Sequence, residues 1–374
     1  MEETKEPIRI GHVIGKWVGG GVEAVVMNYY RHIDRNKIQF DFICDEDSTN
    51  IPYEEIEKLG GRVIIVPPYQ KVFKYHKELK KILKENKYEI VHSHINTLSV
   101  FPLFAAKEAG VPVRIAHSHS TTNKKEWKKN IVKQILRPLA KVFATDYFAC
   151  SELAGRWLFG NKAFEAGKVY ILNNAIDIDR FRFNEKTRDK KRKELNINKD
   201  TLVIGHIGRF VAQKNHTFLI DVFNEIVKEK DDIMLILVGQ GPLKKEIQEK
   251  VKKLGLTAKV AFLGQRNDVN ELYQAMDIFI LPSLYEGLGM VTIEAQVSGL
   301  KCICSNEVPK AVNCTNNVLF VELDSELTNW KNAVLDNIRI KRNSENFEID
   351  EIYNIKKEIL NLEKKYIKLV GDRK

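Results

Sequence analysis

The sequence predicts an α/β protein of two domains, each a doubly wound parallel sheet covered by helices. Short apolar runs without regular polar alternation recur along the chain, which is typical of strands buried on both faces of a sheet. Amphipathic stretches separate these runs, as repeated strand–helix units require. The alternation stops near residue 184 and restarts near residue 201, and a length of 374 residues suits two domains.

The first domain is expected over residues 1–183. An apolar run at 8–14 opens it, and a glycine cluster and an amphipathic helix at 20–33 follow. Further strands are expected at 38–44, 62–66, 89–93, 112–117, 146–150 and 169–172, and further helices at 72–85, 97–108 and 124–143. This order predicts a Rossmann-like domain.

The second domain is expected over residues 184–345. Its first residues, 184–200, are polar and basic, and are interpreted as a linker that contains a short solvated helix. Strands are then expected at 201–208, 233–239, 259–264, 278–282 and 301–305. Residues 346–374 form a charged tail that is predicted to be helical and to pack toward the first domain.

Charge and cysteine content indicate which partners and which cellular compartment to expect. A net charge of +10 and a pI near 9.1 favour an anionic partner: nucleic acid, a phosphorylated small molecule or an acidic membrane surface. The five cysteines lack the spacing of a zinc site, so we expect reduced thiols in a reducing compartment. The polar N-terminus has no signal-peptide pattern, and no apolar stretch is long enough to span a membrane. A cytoplasmic protein is therefore expected.

Glycines and cations follow two of the predicted strands. Gly19, Gly20 and Gly21 come between a strand and a helix, where backbone can approach a phosphate closely; a flexible turn is the alternative. Arg209 and Lys214 bracket the loop after the strand at 201–208. Two cations there can neutralise a diphosphate, although solvated loop charges would look the same in sequence.

Two glutamates flank a glycine-rich segment after the strand at 278–282. Glu286 lies just past the strand, and Gly287 and Gly289 offer backbone N–H groups at the start of a predicted helix. Glu294 is expected on roughly the same helix face as Glu286. One carboxylate suits the hydroxyls of a sugar and the other those of a ribose; the alternative is that both are solvated.

These motifs resemble the retaining nucleotide-sugar glycosyltransferases of glycosyltransferase family four, which have the GT-B fold of two Rossmann-like domains facing across a cleft. The resemblance covers about residues 8–305. The matching segments are Gly19 to Glu23, His117-Ser118-His119, Leu172 to Phe181, Gly208 to Asn215, Leu237 to Pro242, and Glu286 to Glu294.

The resemblance implies roles for the donor-binding residues. Arg209 and Lys214 would bind the donor diphosphate and Glu286 the transferred sugar. Glu294 would hold the ribose. The resemblance implies three further contacts. Backbone groups of Gly287, Leu288 and Gly289 would bind the sugar or the phosphate, and Gly19 and Gly20 would line the phosphates. The loop of Arg266 would lie beside the nucleobase.

The resemblance also implies a histidine near the reacting face of the sugar. His119 is the better match and His117, two residues earlier, is the alternative. No metal cofactor is expected, because Arg209, Lys214 and helix N-termini would offset the charge of the leaving diphosphate. The Asp177-Ile178-Asp179 segment imitates a metal-binding pattern, but no partner ligands are near it in sequence.

The implied reaction is transfer of a sugar, with retention of configuration, to a glycan or lipid-linked acceptor in surface polysaccharide biosynthesis. Two alternatives remain: a nucleotide-sugar epimerase on the same fold, and a non-catalytic protein that binds polyanions or nucleotide-sugars.

Residues 124–143 include seven basic residues and form a predicted amphipathic helix. This helix either packs on the sheet or contacts the anionic inner leaflet of the cell membrane. Nucleic acid is not expected as a partner.

Overall fold

The computed structural model describes residues 6–120, 134–339, 342 and 349–373. The chain divides into two compact units: Met1–Ile176 together with Glu351–Lys374, and Asp177–Asp350. Each unit holds one parallel sheet, with strand order β3-β2-β1-β4-β5-β6-β7 in the first and β10-β9-β8-β11-β12-β13 in the second. The predicted α/β class with two doubly wound sheets is confirmed.

The strands begin and end close to the predicted positions. In chain order they are β1 Ile8–Gly15, β2 Ile38–Asp45, β3 Arg62–Val66, β4 Ile90–Ser93, β5 Val113–Ser118, β6 Asp146–Ala149, β7 Val169–Ile171, β8 Leu202–Ile207, β9 Ile233–Val238, β10 Val260–Gly264, β11 Ile278–Leu281, β12 Lys301–Ser305 and β13 Val318–Val321. Most are buried over nearly their full length, as strands covered on both faces are.

Helices separate the strands. Those named below are α1 Gly21–His32, α2 Tyr53–Lys58, α3 Val72–Asn86, α4 Val100–Glu108, α5 Glu152–Phe159, α6 Asn161–Glu165, α7 Ile178–Phe181, α8 Glu185–Glu194, α9 His216–Val227, α10 Lys244–Lys253, α11 Val269–Ala275, α12 Met290–Val297, α13 Leu327–Leu335 and α14 Ile355–Gly371. Short 3-10 turns lie at Asn96–Ser99, Leu139–Lys141, Ala212–Lys214, Lys310–Val312 and Glu351–Tyr353.

The boundary between the units lies at 176/177, earlier in the chain than residue 183. The reason is local hydrogen bonding. Asp177 caps α7 by accepting from the Arg180 amide, and the carbonyl of Phe181 accepts from Gln274 Nε2 at 3.2 Å and from Ser298 Oγ at 2.8 Å. Because these partners belong to the second unit, the residues of α7 belong there too.

The C-terminal helix α14 is part of the core of the first unit. Its buried face repeats at helical spacing, because an amphipathic helix buries one stripe, and this stripe includes Ile355, Ile359, Leu362 and Tyr366. Glu363 Oε1 also accepts from the backbone N–H of Asp34 at 2.7 Å. The tail begins at residue 351 in the structure, where the sequence suggested 346.

The short solvated helix expected within residues 184–200 is present as α8, and most of its residues are exposed, but two of its cations are not. Lys191 and Arg192 are buried. Arg192 donates to Asp277 Oδ2 at 2.9 Å, and Lys191 Nζ lies 2.7 Å from carboxylate oxygens of both Glu194 and Asp268. Two cations of this basic segment are therefore buried in ion pairs with acids, which a charge count along the sequence does not reveal.

The predicted basic helix 124–143 is only partly covered by the structure, since residues 124–133 lie outside the described ranges. In the described part, Ile135 is 65% exposed, Leu139 43% and Val142 58%. Phe143 packs against Phe104 of α4, with ring centroids 4.8 Å apart. In the described ranges, no helix combines the length and the apolarity that crossing a membrane would need.

Candidate active site

In the second unit, the loop after β8 carries one free cation and one paired cation. Arg209 is exposed, and its guanidinium makes no hydrogen bond or ion pair within the described residues. Lys214 ends a 3-10 turn and its Nζ lies 2.6 Å from Glu286 Oε1; the two side chains are only 14% and 7% exposed. Two of the residues singled out from sequence are therefore in direct contact.

The loop between β11 and α12 holds Glu286 against the β8 loop. The Leu284 amide donates to the carbonyl of Gln213 at 2.8 Å. Gln213 Nε2 donates to the carbonyl of Tyr285 at 3.0 Å and approaches Glu286 Oε2 at 3.4 Å. The expectation that Glu286 and Glu294 share a helix face is wrong, because α12 begins only at Met290 and Glu286 lies in the loop before it.

The start of α12 offers backbone N–H groups. Gly289 precedes the helix with φ +91°, a left-handed conformation that glycine adopts without strain. Within the part of the chain that is described, the amides of Gly287, Leu288 and Gly289 form no hydrogen bond. Unpaired amides at a helix N-terminus attract anions because the helix dipole adds to their own partial charge.

Glu294 lies on α12, partly buried, and Tyr273 donates its hydroxyl hydrogen to Glu294 Oε2 at 3.0 Å. Burial raises the pKa of Glu294 to about 7, against the opposing effects of the Tyr273 hydrogen bond and the Arg180 charge. The carboxyl group therefore changes charge near neutral pH, an uncommon property that recurs at functional sites.

The side chain of Arg266 is already engaged. Its guanidinium donates to both carboxylate oxygens of Asp268, at 2.7 and 2.6 Å, and to Glu194 Oε1 at 3.1 Å. These carboxylates raise the pKa of Arg266, and in return Arg266 lowers that of Asp268. Contact of this loop with a nucleobase would therefore come from its backbone or from neighbouring residues.

In the first unit, the glycine turn after β1 is held by a carboxylate. Gly19 has φ +72° and Gly20 is the N-cap residue of α1. Glu23 Oε1 accepts from the Val18 amide at 2.9 Å. A Cβ on Gly20 would lie 3.0 Å from Glu23 Oε2, so a larger residue would displace the carboxylate that fixes the turn.

His117 and His119 belong to a cluster of five histidines at the carboxyl ends of three adjacent strands. All are buried, and the other members are His12, His92 and His94. His12 pairs in register with His92 across β1 and β4. Burial is the main cause that lowers the pKa of every member, to about 3 for His12 and His119. The rings are therefore neutral at pH 7.

Sequence reasoning identified only two of these five histidines. A signal was present, because His92-Ser93-His94 repeats the pattern of His117-Ser118-His119, and alternate residues on a strand share a face. The motif at Asp177 has a structural use instead: Asp177 caps α7, and Asp179 Oδ1 lies 3.4 Å from Arg182 Nε.

Both units match models of known families. Residues 19–180 match the family described as Glycosyltransferase Family 4, and residues 187–318 match Glycosyl transferases group 1.

Three curated relatives span most of the chain. EpsF of Bacillus subtilis, assigned as a glycosyltransferase, is 37% identical over 87% of this chain and 86% of that protein. The UDP-Gal:alpha-D-GlcNAc-diphosphoundecaprenol alpha-1,3-galactosyltransferase of Escherichia coli is 26% identical over 87% of this chain and 85% of that enzyme. The capsular polysaccharide biosynthesis glycosyltransferase CapH of Staphylococcus aureus is 25% identical over 80% of this chain and 81% of that protein.

Solved structures share the fold. Anabaena HepE in complex with UDP and glucose gives a TM-score of 0.76 at 19% identity, covering 98% of this chain and 100% of that one. WaaG, a glycosyltransferase involved in lipopolysaccharide biosynthesis, gives 0.67 at 16% identity, covering 96% of this chain and 94% of that one. With a relative 37% identical along most of its length and a family model over each unit, the chain belongs to the family 4 glycosyltransferases, which have the GT-B fold.

Proposed function

We propose that the chain transfers a sugar from a nucleotide-diphosphate sugar to a hydroxyl group of a glycan or lipid-linked acceptor, with retention of anomeric configuration. The observation that carries the proposal is the arrangement in the second unit. Arg209, an exposed cation without a partner among the described residues, follows the same strand as the Lys214–Glu286 pair. The Glu286 loop leads into amides that are likewise unpaired within those residues. Together these groups suit a diphosphate joined to a sugar.

In the proposed reaction, the bond between the anomeric carbon and the β-phosphate oxygen breaks, and its electron pair leaves with the nucleoside diphosphate. Arg209, Lys214 and the amides before α12 stabilise the charge that develops on the phosphate. Glu286 holds sugar hydroxyls and Glu294 the ribose. The acceptor hydroxyl attacks the same face of the sugar, and its proton passes to the leaving phosphate. The residues require no metal ion in this scheme.

The donor is proposed to be a UDP-sugar carrying a hexose. The support comes from the names of relatives, since the similar Escherichia coli enzyme is named for UDP-galactose and the similar HepE structure contains UDP and glucose. A thermal-shift panel of UDP-, GDP- and ADP-sugars tests this, because a ligand that binds the folded state raises the melting temperature. Stabilisation by a GDP- or ADP-sugar alone would contradict it.

The role of Arg209 has a direct test. Because this side chain is exposed and has no partner within the described residues, Arg209→Ala should leave the melting temperature unchanged and remove only a ligand contact. A charge-assisted hydrogen bond is worth roughly 1.5–3 kcal/mol, so kcat/KM for sugar transfer should fall more than about tenfold. Lys252→Ala, an exposed cation on α10, is the matched control and should retain activity. Equal activity of the two variants would contradict the assignment.

The assay also separates the proposal from its alternatives. An epimerase would convert the donor sugar without an acceptor. A non-catalytic binding protein would bind the nucleotide-sugar and release no nucleoside diphosphate in the presence of acceptor. Transfer to an added acceptor, with the new bond in the donor's anomeric configuration by NMR, supports the retaining reaction; an inverted product would contradict it.

Peripheral contact with an anionic membrane on the cytoplasmic side is part of the proposal, since a lipid-linked acceptor lies in a membrane. Its support is the exposed apolar side chains of Ile135 and Val142, which lie within the basic segment at 124–143. Sedimentation with anionic vesicles should carry the protein down at moderate salt. Ile135→Glu with Val142→Glu should weaken this, whereas Leu254→Glu, a change at a 37% exposed leucine of the second unit, should not. No sedimentation of the wild type would remove this part.

A further inference from the structure

The five buried histidines of the first unit are joined into two separate hydrogen-bonded chains. In one, His12 Nδ1 lies 2.9 Å from His94 Nε2, and His94 Nδ1 lies 2.9 Å from His119 Nε2. In the other, the Tyr366 hydroxyl lies 2.7 Å from His92 Nδ1, and His92 Nε2 lies 3.0 Å from His117 Nδ1. His94 is thus the sole link between His12 and His119 among these bonds.

The last histidines of the two hydrogen-bonded series differ in their exposure to solvent. His117 is 1% exposed, and its Nε2 is buried and has no partner among the described residues. His119 is 9% exposed, and its backbone N–H is fixed by donation to Asn96 Oδ1 at 2.7 Å. A ligand at the ends of β4 and β5 would therefore meet His119 and not His117.

Because the three rings of the His12–His94–His119 series are neutral, the position of the proton on each ring depends on the other two. A neutral imidazole carries one N–H and one lone pair, so in a chain of three rings every N–H must point in the same direction. Either His12 donates to His94 and His94 to His119, which leaves a proton on His119 Nδ1, or the whole order is reversed. The tautomer of His119 is then set by a ring it does not touch.

The surroundings of His12 favour one direction. Its Nε2 is buried without a partner in the described residues, and the Phe40 ring centroid lies 4.0 Å from the imidazole centroid. The reversed order would place an N–H on this nitrogen, for which the described residues offer no oxygen or nitrogen acceptor. Orphaned buried N–H groups are rare in native structures because the donor loses its hydrogen bond to water without replacement.

We infer that His94 is a positioning residue which, together with His12, holds His119 as the neutral ring protonated on Nδ1, so that His119 donates a hydrogen bond to an oxygen of a substrate bound at the ends of β4 and β5. The contact with substrate rests on the proposed function; the tautomer itself does not. In this form His119 stabilises an oxygen as a hydrogen-bond donor and does not act as a charged acid.

The cluster also resembles a metal site, and the hydrogen bonds argue against that use. Two groups of three histidines have ring nitrogen atoms within 4.8 Å of one another. One group is His12, His92 and His94, and the other is His94, His117 and His119. A metal ion needs the lone pairs that these rings now share with each other. Binding an ion would therefore break ring-to-ring bonds.

The test is a long-range proton–nitrogen NMR correlation on protein with ¹⁵N-labelled histidine rings, with the His119 signals assigned by their loss in His119→Gln. In the wild type, we expect His119 to carry its proton on Nδ1. His94→Leu should allow the Nε2-protonated form to become populated. His94→Gln should restore the Nδ1 form, because an amide can accept from His12 and donate to His119.

The matched control is His92→Leu, which removes an equally buried ring from the other chain and should leave the His119 tautomer unchanged. Donor kcat/KM should fall about tenfold in His94→Leu and recover to within about threefold of wild type in His94→Gln. Wild-type His119 protonated on Nε2, or an unchanged tautomer in His94→Leu, would overturn the inference. Stoichiometric metal in the purified protein by elemental analysis would do so too. Since the NMR measurement needs no substrate, it remains decisive even if the proposed transfer reaction fails.

Discussion

Single residues of the second unit divide into those that are free to bind and those that are already paired. Arg209 is unpaired within the described residues, whereas Arg266 is held by Asp268 and Glu194. Lys214 and Glu286 neutralise each other in a largely buried pair. Removing one partner of such a pair leaves an uncompensated charge, so Arg209 gives a cleaner test of binding than Lys214.

We expect nucleotide-sugar affinity to depend on pH through Glu294. Its pKa is raised to about 7, so about a tenth of the molecules are ionised at pH 6 and about nine tenths at pH 8. If the carboxylate accepts from ribose hydroxyls, affinity for an intact UDP-sugar should rise about tenfold between these values. Calorimetric titration across this range checks it.

Glu294→Gln is the control for that measurement, because the amide cannot ionise and the variant should bind with the same affinity at both pH values. The groups that act on the carboxyl are Tyr273 and Arg180, and burial raises the pKa of Tyr273 further above this range. A rise in pH should affect protein stability through Glu294 in the opposite direction to its effect on nucleotide-sugar affinity. The folded pKa lies above the unfolded value of 4.5, so the unfolded chain binds fewer protons, and this group's contribution to stability falls as pH rises from about 4.5 to about 7. Affinity that does not change with pH in the wild type would contradict the ribose contact.

At the scale of secondary-structure elements, the helix α12 depends on the conformation of the residue before it. Gly289 has φ +91°, and a Cβ there would meet its nearest side-chain atom at an ordinary 3.5 Å. Gly289→Ala should therefore destabilise the fold by backbone strain alone, roughly 1–2 kcal/mol. Chemical denaturation measures this, and donor affinity should fall as the preceding amides shift.

Gly21→Ala is the matched control for that substitution. Gly21 is the first residue of α1, has no positive φ, and a Cβ there would meet nothing within 4 Å. Alanine is a better helix former than glycine, so stability should stay the same or rise slightly. Equal loss of stability in both variants would show that backbone conformation at 289 is not the cause.

The helix α14 contributes a polar contact as well as apolar packing. The Tyr366 hydroxyl lies 2.7 Å from His92 Nδ1, and both residues are fully buried. Tyr366→Phe should lower the free energy of unfolding by about 1–3 kcal/mol, because it leaves a buried ring nitrogen without its partner. Tyr170→Phe, at a half-buried tyrosine of the same unit, should cost less. No difference between the two by chemical denaturation would mean that the His92 bond contributes nothing to stability.

Strands were predictable from sequence because parallel strands are continuous apolar runs, and the predicted bounds of β2 and β12 match the structure to within a residue. The strand β13 was missed: it is a four-residue strand whose middle residues are partly exposed. The burial of Lys191 and Arg192 on α8 was missed because their ion pairs depend on partners distant in sequence, Asp268 and Asp277.

At the scale of the whole molecule, the sequence located the candidate donor residues but not all of their contacts. Motifs at strand ends were enough to identify Arg209, Lys214 and Glu286, since ligand-binding residues in open α/β sheets follow the strands. The histidine cluster needed the strand order β1-β4-β5, which brings His12 beside His92. Strand order is a property of tertiary packing and cannot be read from local sequence patterns.

We propose above all that the second unit binds the diphosphate of a nucleotide-sugar between Arg209, Lys214 and the amides that precede α12. A crystal structure of the full chain with a UDP-sugar tests it most directly. We expect the β-phosphate oxygens within hydrogen-bond distance of the Arg209 guanidinium and of at least one amide among residues 287–289. Phosphates bound elsewhere, with Arg209 and those amides still in contact with solvent, would contradict the account.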